Sequence, residues 1–498
     1  MIRLYASAAL ALAALLPATS SLCGAPARPN IFVIVTDQHH AGMMSCAGNP
    51  YVKTPHLDGL AARGVRFERA YTSNPVCIPA RFSLMTGMMP SAIGMEHHRE
   101  AGNFVAPGIL AASLCTVFQH AGYHTVYAGK SHLPGQAGVL DNPKAYGFEE
   151  ILAPEDKEGR DPAVDACVEF LRRPQAKPFV LYASLINPHD ICFLAIRAHL
   201  QRIGKPNPGF ALPALKELDQ ALQMPAGMSL NEFIDKLCPP LPANYGVPTA
   251  ELSAPWADKP DFMLFARQEW GEREWRLHRW AYARLTERVD AQIGRLLDTL
   301  RASGLDKNTI IVFTSDYGDQ DASHRVEHKA FLFEESARIP FVVSWAGVTK
   351  PGLVDKSHLV SSGLDLIPTV CDFASLPIPA SLRGKSVRAL AEGRPVADWR
   401  NCLVVENTAS RLVQMGRWKY MVGNARITSA DMASIGLPST VVRESLVDLQ
   451  TDPGEMKNLA ADASARPALE QGRRMLKQWY ADNELALDPG YIVRETTH

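Results

Sequence analysis

The sequence predicts an α/β protein with a large, mostly parallel sheet sandwiched by helices and a smaller C-terminal α+β domain. Strand-like apolar runs alternate with helical patterns through about the first 400 residues, which is typical of parallel strands joined by crossover helices. After Gly393 the pattern changes to short strands in succession and one final helix. We therefore expect a short antiparallel sheet plus a helix in the second domain.

The individual elements follow from apolar periodicity. Four apolar runs are interpreted as buried strands, at residues 31–35, 124–127, 179–186 and 310–314. Helical spacing predicts helices at residues 57–62, 110–120 and about 277–296. Residues 195–260 are rich in proline and lack periodicity, which indicates an irregular functional insertion or lid. In the second domain we expect strands at 402–406, 411–421 and 445–449 and a helix at 467–482.

Composition and the N-terminus limit the class of protein. The 498 residues carry a formal net charge of −1, which gives no sign of a nucleic-acid or membrane-surface binder. Arg3 precedes an apolar run at residues 8–16, and Ala25-Pro26-Ala27 fits a cleavage site, so residues 1–27 are predicted to be a secretory signal peptide. No other stretch is apolar enough to span a membrane. We expect an exported protein, periplasmic or secreted; a lipoprotein anchor at Cys23 is the less favoured alternative.

These observations divide the chain into three segments. After the signal peptide we predict an N-terminal catalytic domain at residues 28–395, which contains the insertion, and a C-terminal subdomain at residues 396–498. Nine cysteines are scattered without CxxC pairs, which favours neither a zinc site nor a disulfide framework. A single disulfide stays open at this point.

Reactive side chains follow all four buried runs. In chain order they are Asp37 and Gln38, then Lys130 and His132, then His189 and Asp190, and finally Asp316. In an open parallel sheet, ligands bind beyond the carboxyl ends of the strands. One aspartate at a strand end is commonly a helix cap, but four such ends together predict a functional site.

The residue types at these ends suggest anion chemistry assisted by a metal. Asp37 and Asp316, with neighbouring amide or carbonyl oxygens, suit a hard cation such as calcium. Lys130 and Lys329 supply charge for a tetrahedral oxyanion, and the histidines fit proton transfer near neutral pH. Taken singly, each histidine or lysine is more often structural or solvated.

A run of motifs then resembles one family, the sulfatases. Cys77-Ile78-Pro79-Ala80-Arg81 resembles the family's C-x-P-x-R signature, whose cysteine is converted to formylglycine (3-oxoalanine). The other matching segments, in order along the chain, are Thr54-Pro55-His56-Leu57-Asp58, Gly129-Lys130-Ser131-His132, Asn187-Pro188-His189, Ser315-Asp316 with Lys329, and Asp452-Pro453-Gly454-Glu455. The resemblance covers nearly the whole mature chain, and it implies an alkaline-phosphatase-like fold.

The resemblance implies a mechanism. A formylglycine hydrate at position 77 would attack the sulfur of a sulfate ester or sulfamate. One calcium ion per chain and Arg81 would activate this hydrate. The resemblance also implies that the sulfated substrate is a saccharide. His189 would protonate the leaving alcohol, and His132 would take the proton that allows sulfate to leave. The implied metal ligands are Asp37, Gln38, Cys77 and Asp316. The implied catalytic residues are Cys77, Arg81, Lys130, His132, His189 and Lys329. A formylglycine-generating or sulfatase-maturating enzyme would be a partner.

Two positions depart from the family pattern and keep alternatives open. Tyr317 stands where the family usually carries Asn or His, and Gln38 where many members carry a second Asp. Tyr317 and His324 are candidate substrate contacts. A formylglycine enzyme acting on phosphate diesters or phosphonate monoesters is one alternative, and a degenerate, non-catalytic glycan-binding protein is another. A polar cluster of His97, His98 and Arg99 is a candidate for binding an anionic sugar, with a solvated loop as the other interpretation.

Overall fold

The computed structural model describes residues 28–95, 105–134, 142–153, 159–437 and 440–493. The predicted signal peptide, Cys23 and the His97–His98–Arg99 cluster lie outside these residues. Within the described parts of the chain, we find no helix with the length and apolar character needed to cross a bilayer. The eight cysteines in these parts are all free thiols.

The strands of the described residues comprise two main groups. Those of the N-terminal part are β1 (Asn30–Asp37), β2 (Val65–Phe67), β3 (Ala70–Tyr71), β4 (His124–Gly129), β5 (Glu150–Ala153), β6 (Phe179–Pro188), β7 (Thr309–Ser315), β8 (Phe341–Ser344), β9 (Leu353–Asp355) and β10 (Val360–Ser361). Those of the C-terminal part are β11 (Cys402–Glu406), β12 (Ser410–Met415), β13 (Trp418–Gly423) and β14 (Glu444–Asp448).

The helices of the described residues are distributed along the whole chain. In the N-terminal half they are α1 (Pro55–Arg63), α2 (Cys77–Thr86), α3 (Pro107–Ala111), α4 (Leu114–His120), α5 (Pro162–Arg172), α6 (Cys192–Arg202), α7 (Leu212–Ala221) and α8 (Leu230–Lys236). The remaining ones are α9 (Asp261–Glu269), α10 (Glu272–Ala302), α11 (Glu334–Ala337), α12 (Ser362–Phe373), α13 (Arg388–Ala391), α14 (Ser429–Ser434) and α15 (Arg466–Asp482).

A large mixed sheet forms the centre of the N-terminal part, in the order β5-β4-β6-β1-β7-β8-β2-β9. Only β8 runs antiparallel to its neighbours among these described strands, so the predicted mostly parallel sheet is confirmed. Alternate residues of β1 enter two different cores. Val33 and Val35 pack on the α2 and α12 side, whereas Phe32 and Ile34 pack on the side of α1, α5 and α10. Helices therefore cover both faces, and β1 lies in the interior between β6 and β7.

Two sequence predictions of local structure are wrong in part. The single helix expected at residues 110–120 is instead the pair α3 and α4, because the Ser113 hydroxyl bonds the Leu110 carbonyl and the Ser113 backbone is extended. The insertion expected to be irregular contains α6, α7 and α8. Helix α8 begins at a capping box of Ser229 and Glu232, a local start that the proline content obscures, whereas α6 and α7 begin without a side-chain cap.

The C-terminal part contains the predicted antiparallel sheet, in the order β11-β12-β13-β14. The run predicted as one strand at 411–421 is a hairpin in which Met415 pairs with Trp418. Leu469 and Leu476 of α15 lie in the core that this sheet forms with its helix. The two-part α/β plus α+β architecture is therefore confirmed, while the exact domain boundary stays a prediction.

Candidate active site

The four strand ends that are followed by reactive side chains meet at one edge of the large sheet, which we call the rim. In the parallel register, Thr36 of β1 pairs with Ser315 of β7 and with Leu185 of β6, so these strands end at nearly the same level. The residues that follow, including Asp37, Lys130 and Asp316, are buried. The structure therefore brings these reactive side chains together at the rim, as the sequence predicts.

Cys77 lies at the centre of this rim as the first residue of α2. Its preceding residue, Val76, is extended, so the helix begins at the cysteine itself. Unpaired backbone N–H groups at a helix N-terminus favour negative charge nearby. Cys77 Sγ lies 2.7 Å from the Tyr317 hydroxyl and 3.0 Å from Lys329 Nζ. The thiol is thus buried among donors at a site that favours an anion.

Arg81 follows Cys77 by one turn of α2 and is fully buried. Its Nη2 lies 3.0 Å from Asp37 Oδ2 and 2.9 Å from Asp316 Oδ2. Its Nη1 donates to Ser184 Oγ at 2.6 Å and to the Lys130 carbonyl at 3.0 Å. Sequence reasoning missed Ser184, whose signal is only that it is a hydroxyl within an apolar strand. Arg81 therefore links the helix to three strand ends.

Asp37 and Asp316 fit a metal site. Lys130 Nζ lies 2.7 Å from Asp37 Oδ2, whereas Asp316 Oδ2 accepts no well-aligned hydrogen bond. Burial and the neighbouring Asp37 carboxylate raise the pKa of Asp316 to about 8. A divalent cation between two such carboxylates would relieve their repulsion. Ligand atoms of Asp37, Cys77 and His189 also lie within 4.8 Å of one another.

Gln38 takes a different orientation from that expected of a metal ligand. Its backbone is left-handed, with a φ of 66°. Its Nε2 donates to Asp319 Oδ2 at 2.6 Å, and its Oε1 accepts from the Cys192 thiol at 3.0 Å. Only its backbone N–H, which donates to Asp316 Oδ1, contacts the carboxylate pair. Metal ligation by the Gln38 side chain stays a prediction, and Asp319 is a further residue that sequence reasoning missed.

Tyr317 reaches into the middle of the cluster. Its hydroxyl donates to Asp37 Oδ1 at 2.5 Å and accepts from Lys329 Nζ at 2.6 Å. Burial, with Asp37 nearby, raises the pKa of Tyr317 well above 10, so the phenol stays neutral. Lys329 itself is in no ion pair with a described carboxylate. Tyr317 therefore occupies the position between the first aspartate and the nucleophile.

His189 and His132 approach the thiol from two other strand ends. His189 Nε2 lies 3.2 Å from Lys329 Nζ, and burial together with Lys130 lowers its pKa below 6.5. Burial alone would raise the pKa of the Cys77 thiol. The two lysines and hydrogen bonds to both histidines outweigh burial and hold this pKa well below 9.0. Both histidines are thus close enough to exchange a proton with a group at position 77.

His324 is placed elsewhere. It is buried, stacks on Phe333 with ring centroids 3.9 Å apart, and has Nε2 3.7 Å from Glu335 Oε2. Its ring also lies near Asn244 and Glu455, and Arg267 donates to its backbone carbonyl. The structure therefore gives His324 a set of contacts separate from those of Cys77, and its role as a substrate contact stays a prediction.

Apart from the Cys77 thiolate, which the lowered pKa favours and which conversion to formylglycine would remove, the charges at this position do not balance. Three permanent cations, Arg81, Lys130 and Lys329, face two carboxylates, Asp37 and Asp316. A buried surplus of positive charge needs a counter-ion. A tetrahedral dianion or an anionic ester bound against Cys77 would supply it.

Comparisons with known proteins agree with this geometry. A family model described as Sulfatase matches residues 29–376, and one described as N-sulphoglucosamine sulphohydrolase, C-terminal, matches residues 322–482. The chain is 27% identical to a Delta 4,5-hexuronate-2-O-sulfatase of Bacteroides thetaiotaomicron, over 92% of this chain and 91% of that protein. It is 30% identical to an ulvan-active sulfatase of Formosa agariphila, over 76% of this chain and 68% of that protein. The solved structure of a 2-O GAG sulfatase superposes with a TM-score of 0.72 at 25% identity, covering 94% of this chain and 98% of that one.

Proposed function

This chain belongs to the sulfatase family, whose members hydrolyse sulfate esters, and we propose that it releases inorganic sulfate from a sulfated saccharide through a formylglycine made from Cys77. The observation that carries the proposal is the surplus of three cations over two carboxylates around the first residue of α2. The match to the Sulfatase family model confirms, at the level of the family, the resemblance seen in the sequence motifs.

Formylglycine and calcium supply the chemistry that side chains here lack: a hydrated aldehyde as nucleophile and a divalent charge beside it. Cys77 Sγ marks where an oxygen of that hydrate would lie. At this position Lys329 and Tyr317 are within hydrogen-bond distance. Arg81, held by Ser184 and both aspartates, keeps a permanent positive charge one helical turn from Cys77. Lys130 and Lys329 hold the sulfate oxygens by charge-assisted hydrogen bonds.

Two histidines have distinct proton roles in this proposal. His189, which follows β6 and lies 3.2 Å from Lys329 Nζ, donates a proton to the leaving alcohol oxygen. His132, which follows β4, takes a proton from the group at position 77 so that sulfate can leave. Their hydrogen bonds to the thiol support these roles, since each ring already reaches the reacting position.

Calcium is the proposed metal because the donors are hard oxygens. Asp37 and Asp316 would hold it. Burial and the Asp37 carboxylate raise the pKa of Asp316 although Arg81 lies 2.9 Å away, and a bound cation would favour the ionised form of both carboxylates. The Gln38 amide oxygen would add a ligand only after leaving its hydrogen bond with Cys192. One ion per chain is proposed.

The saccharide class is supported by relatives that are named for hexuronate, N-acetylglucosamine and ulvan sulfates. Tyr317 and His324 are proposed to contribute to substrate binding. We further propose export to the periplasm or medium through residues 1–27, and maturation of Cys77 by a formylglycine-generating or sulfatase-maturating enzyme.

The test is sulfate release from a panel of glycosaminoglycan, mucin-type and algal glycans by protein co-expressed with a maturating enzyme. We expect release by the wild type and a loss of at least about 10⁴-fold for Cys77→Ala. Mass spectrometry of the peptide around Cys77 verifies maturation in the same sample. An aryl phosphonate monoester and a phosphodiester, assayed beside an aryl sulfate, test the alternative electrophiles. Matured protein that releases no sulfate from the panel, or that prefers phosphorus esters, would contradict the proposal.

A further inference from the structure

The insertion presents an exposed apolar surface at the turn between α6 and α7. Phe210 is 80% exposed, Leu212 63% and Ile203 47%. Phe210 and Leu212 have the highest exposure of any large apolar side chain in the described residues. We call residues 201–212, which contain all three, the apolar tip. Single exposed apolar residues are normal, but three within ten residues form a patch that calls for an explanation.

The apolar tip is exposed by construction of the turn. Ala211, between Phe210 and Leu212, is 1% exposed and packs in a core with Leu218 and Tyr282. Because this small side chain takes the inward position, its two large neighbours face outward. Backbone hydrogen bonds from Gly204 to Gln201 and from Lys205 to Leu200 order the same turn. The exposed side chains are therefore held on a well-defined projection.

Basic side chains flank the apolar tip, and the acidic residues next along the chain are Asp190, Glu217 and Asp219. Residues 191–216 contain Arg197, Arg202, Lys205 and Lys216 and no aspartate or glutamate. Arg197 pairs with Asp219, whereas the structure records no ion pair for the other three among the described residues. On a chain of net charge −1, this is a local basic surface beside apolar side chains.

We propose that the apolar tip docks the protein on an anionic phospholipid bilayer. Apolar side chains that enter the headgroup region, flanked by lysine and arginine that meet anionic lipids, are the chemistry of interfacial binding. A second copy is a poorer fit, because a two-fold contact would bring Arg202 and Lys205 against their own equivalents. A polyanionic glycan would be met by the basic residues but would leave Ile203 and Leu212 unused.

The position of the apolar tip connects docking to the active site. Helix α6 begins at Cys192, three residues after His189, and ends at Arg202 where the apolar tip starts. Eleven helical residues span about 16 Å. Docking would therefore hold the catalytic rim one helix length from a lipid surface. This inference does not depend on the identity of the substrate.

Vesicle flotation with the purified mature chain tests the proposal. We expect binding to vesicles of phosphatidylcholine with about one third phosphatidylglycerol, weak binding to pure phosphatidylcholine, and release by salt. The double variant Phe210→Ser/Leu212→Ser should weaken the partition coefficient at least about tenfold. Arg202→Glu/Lys205→Glu should abolish the preference for anionic vesicles. The matched control is Ile378→Ser, which alters another exposed apolar residue (42% exposed) and should bind like the wild type.

Four outcomes would overturn the proposal. Wild-type protein could fail to float with anionic vesicles, or the Phe210/Leu212 variant could float equally well. Sedimentation could instead show a wild-type dimer that the same variant dissociates, which would assign the apolar tip to self-association. Loss of retention on a sulfated polysaccharide column by that variant, with vesicle binding unchanged, would assign it to glycan binding. Equal thermal stability and equal sulfate release from a soluble substrate verify that the variants are folded.

Discussion

Lys130, Lys329 and Lys419 are buried in the described residues, and the surroundings of Lys329 and Lys419 are opposite. Lys419, in the C-terminal sheet, has Nζ 3.0 Å from Glu334 Oε1 and 2.7 Å from Glu455 Oε1. Lys329, at the catalytic rim, has Nζ near Cys77, Tyr317 and His189, but no described carboxylate within ion-pair distance. Lys419 is neutralised by two carboxylates, whereas Lys329 lies against the Cys77 thiol, whose negative charge would be lost on conversion to formylglycine.

The difference separates a structural ion cluster from a functional one. Glu334 also accepts from Tyr71 and pairs with Arg338, so the cluster around Lys419 joins the two parts of the chain with charges that match in number. The rim around Lys329 keeps a surplus cation in a buried place, which costs folding free energy unless an anion binds. A buried cation that lowers folding stability, as Lys329 does at the rim, indicates a functional role for that residue.

The largest expected effect is on stability at Lys419. Lys419→Met removes the shared cation and leaves Glu334 and Glu455 buried against each other, so the free energy of unfolding should fall by about 3–5 kcal/mol. Chemical denaturation measures the loss. The protein that remains folded should keep its kcat. The exposed pair of Lys385 and Asp398 supplies the control, because Lys385→Met should change stability by less than about 1 kcal/mol.

Lys329→Met is the matched substitution at the rim, and the comparison predicts the opposite pattern. Loss of a charge that binds the sulfate group should lower kcat/KM by about 10²–10³-fold. The free energy of unfolding should stay unchanged or rise, because no carboxylate loses its partner. Steady-state kinetics and denaturation on the same preparation measure both quantities. If Lys329→Met destabilised the protein as much as Lys419→Met, the distinction between the two lysines would be wrong.

Low pH would place a positive charge on the buried histidine His39. The resulting loss of stability tests, without a mutation at either lysine, whether a buried cation without a carboxylate partner is costly. Burial lowers the pKa of His39 from 6.5 to about 4. The unfolded chain therefore binds a proton that the folded chain resists, and stability present above pH 6.5 is lost as the pH falls towards 4. At pH 5 the loss relative to pH 8 should be about 2 kcal/mol from this one residue.

Unfolding curves between pH 5 and pH 8 measure this dependence. His39→Gln should make the change in stability between pH 8 and pH 5 differ from that of the wild type by about 2 kcal/mol, while the second buried histidine of lowered pKa, His40, keeps its own contribution. A His39→Gln variant with the same pH dependence as the wild type would contradict the assignment of His39 as a neutral buried residue.

The sequence alone predicted much of this arrangement, for physical reasons. Buried parallel strands are continuous apolar runs, so the sequence predicts β1, β6 and β7. Because parallel strands end at the same edge of a sheet, it also predicts that the reactive residues after them lie together. The orientation of Gln38 was not readable, because Asp319 and Cys192 approach it from distant segments. The pairing of Lys419 with Glu334 and Glu455 is long-range in the same way. Of the insertion helices that the sequence did not predict, α8 begins at a capping box among prolines, whereas α6 and α7 begin without a side-chain cap.

Tyr317 gives the smallest expected effect and the finest test of the rim. Its hydroxyl donates to Asp37 and accepts from Lys329, so we expect it to position Lys329 rather than to bind the metal. Tyr317→Phe should then lower kcat about tenfold, the worth of one to two hydrogen bonds, with the half-saturating calcium concentration unchanged. The control is Tyr182→Phe, which removes a buried hydroxyl that has no hydrogen-bond partner among the described residues and should leave kcat unchanged. A Tyr317→Phe variant could instead need severalfold more calcium for half-saturation and keep its kcat at saturating calcium. That result would identify Tyr317 as a metal ligand and would contradict its role in positioning Lys329.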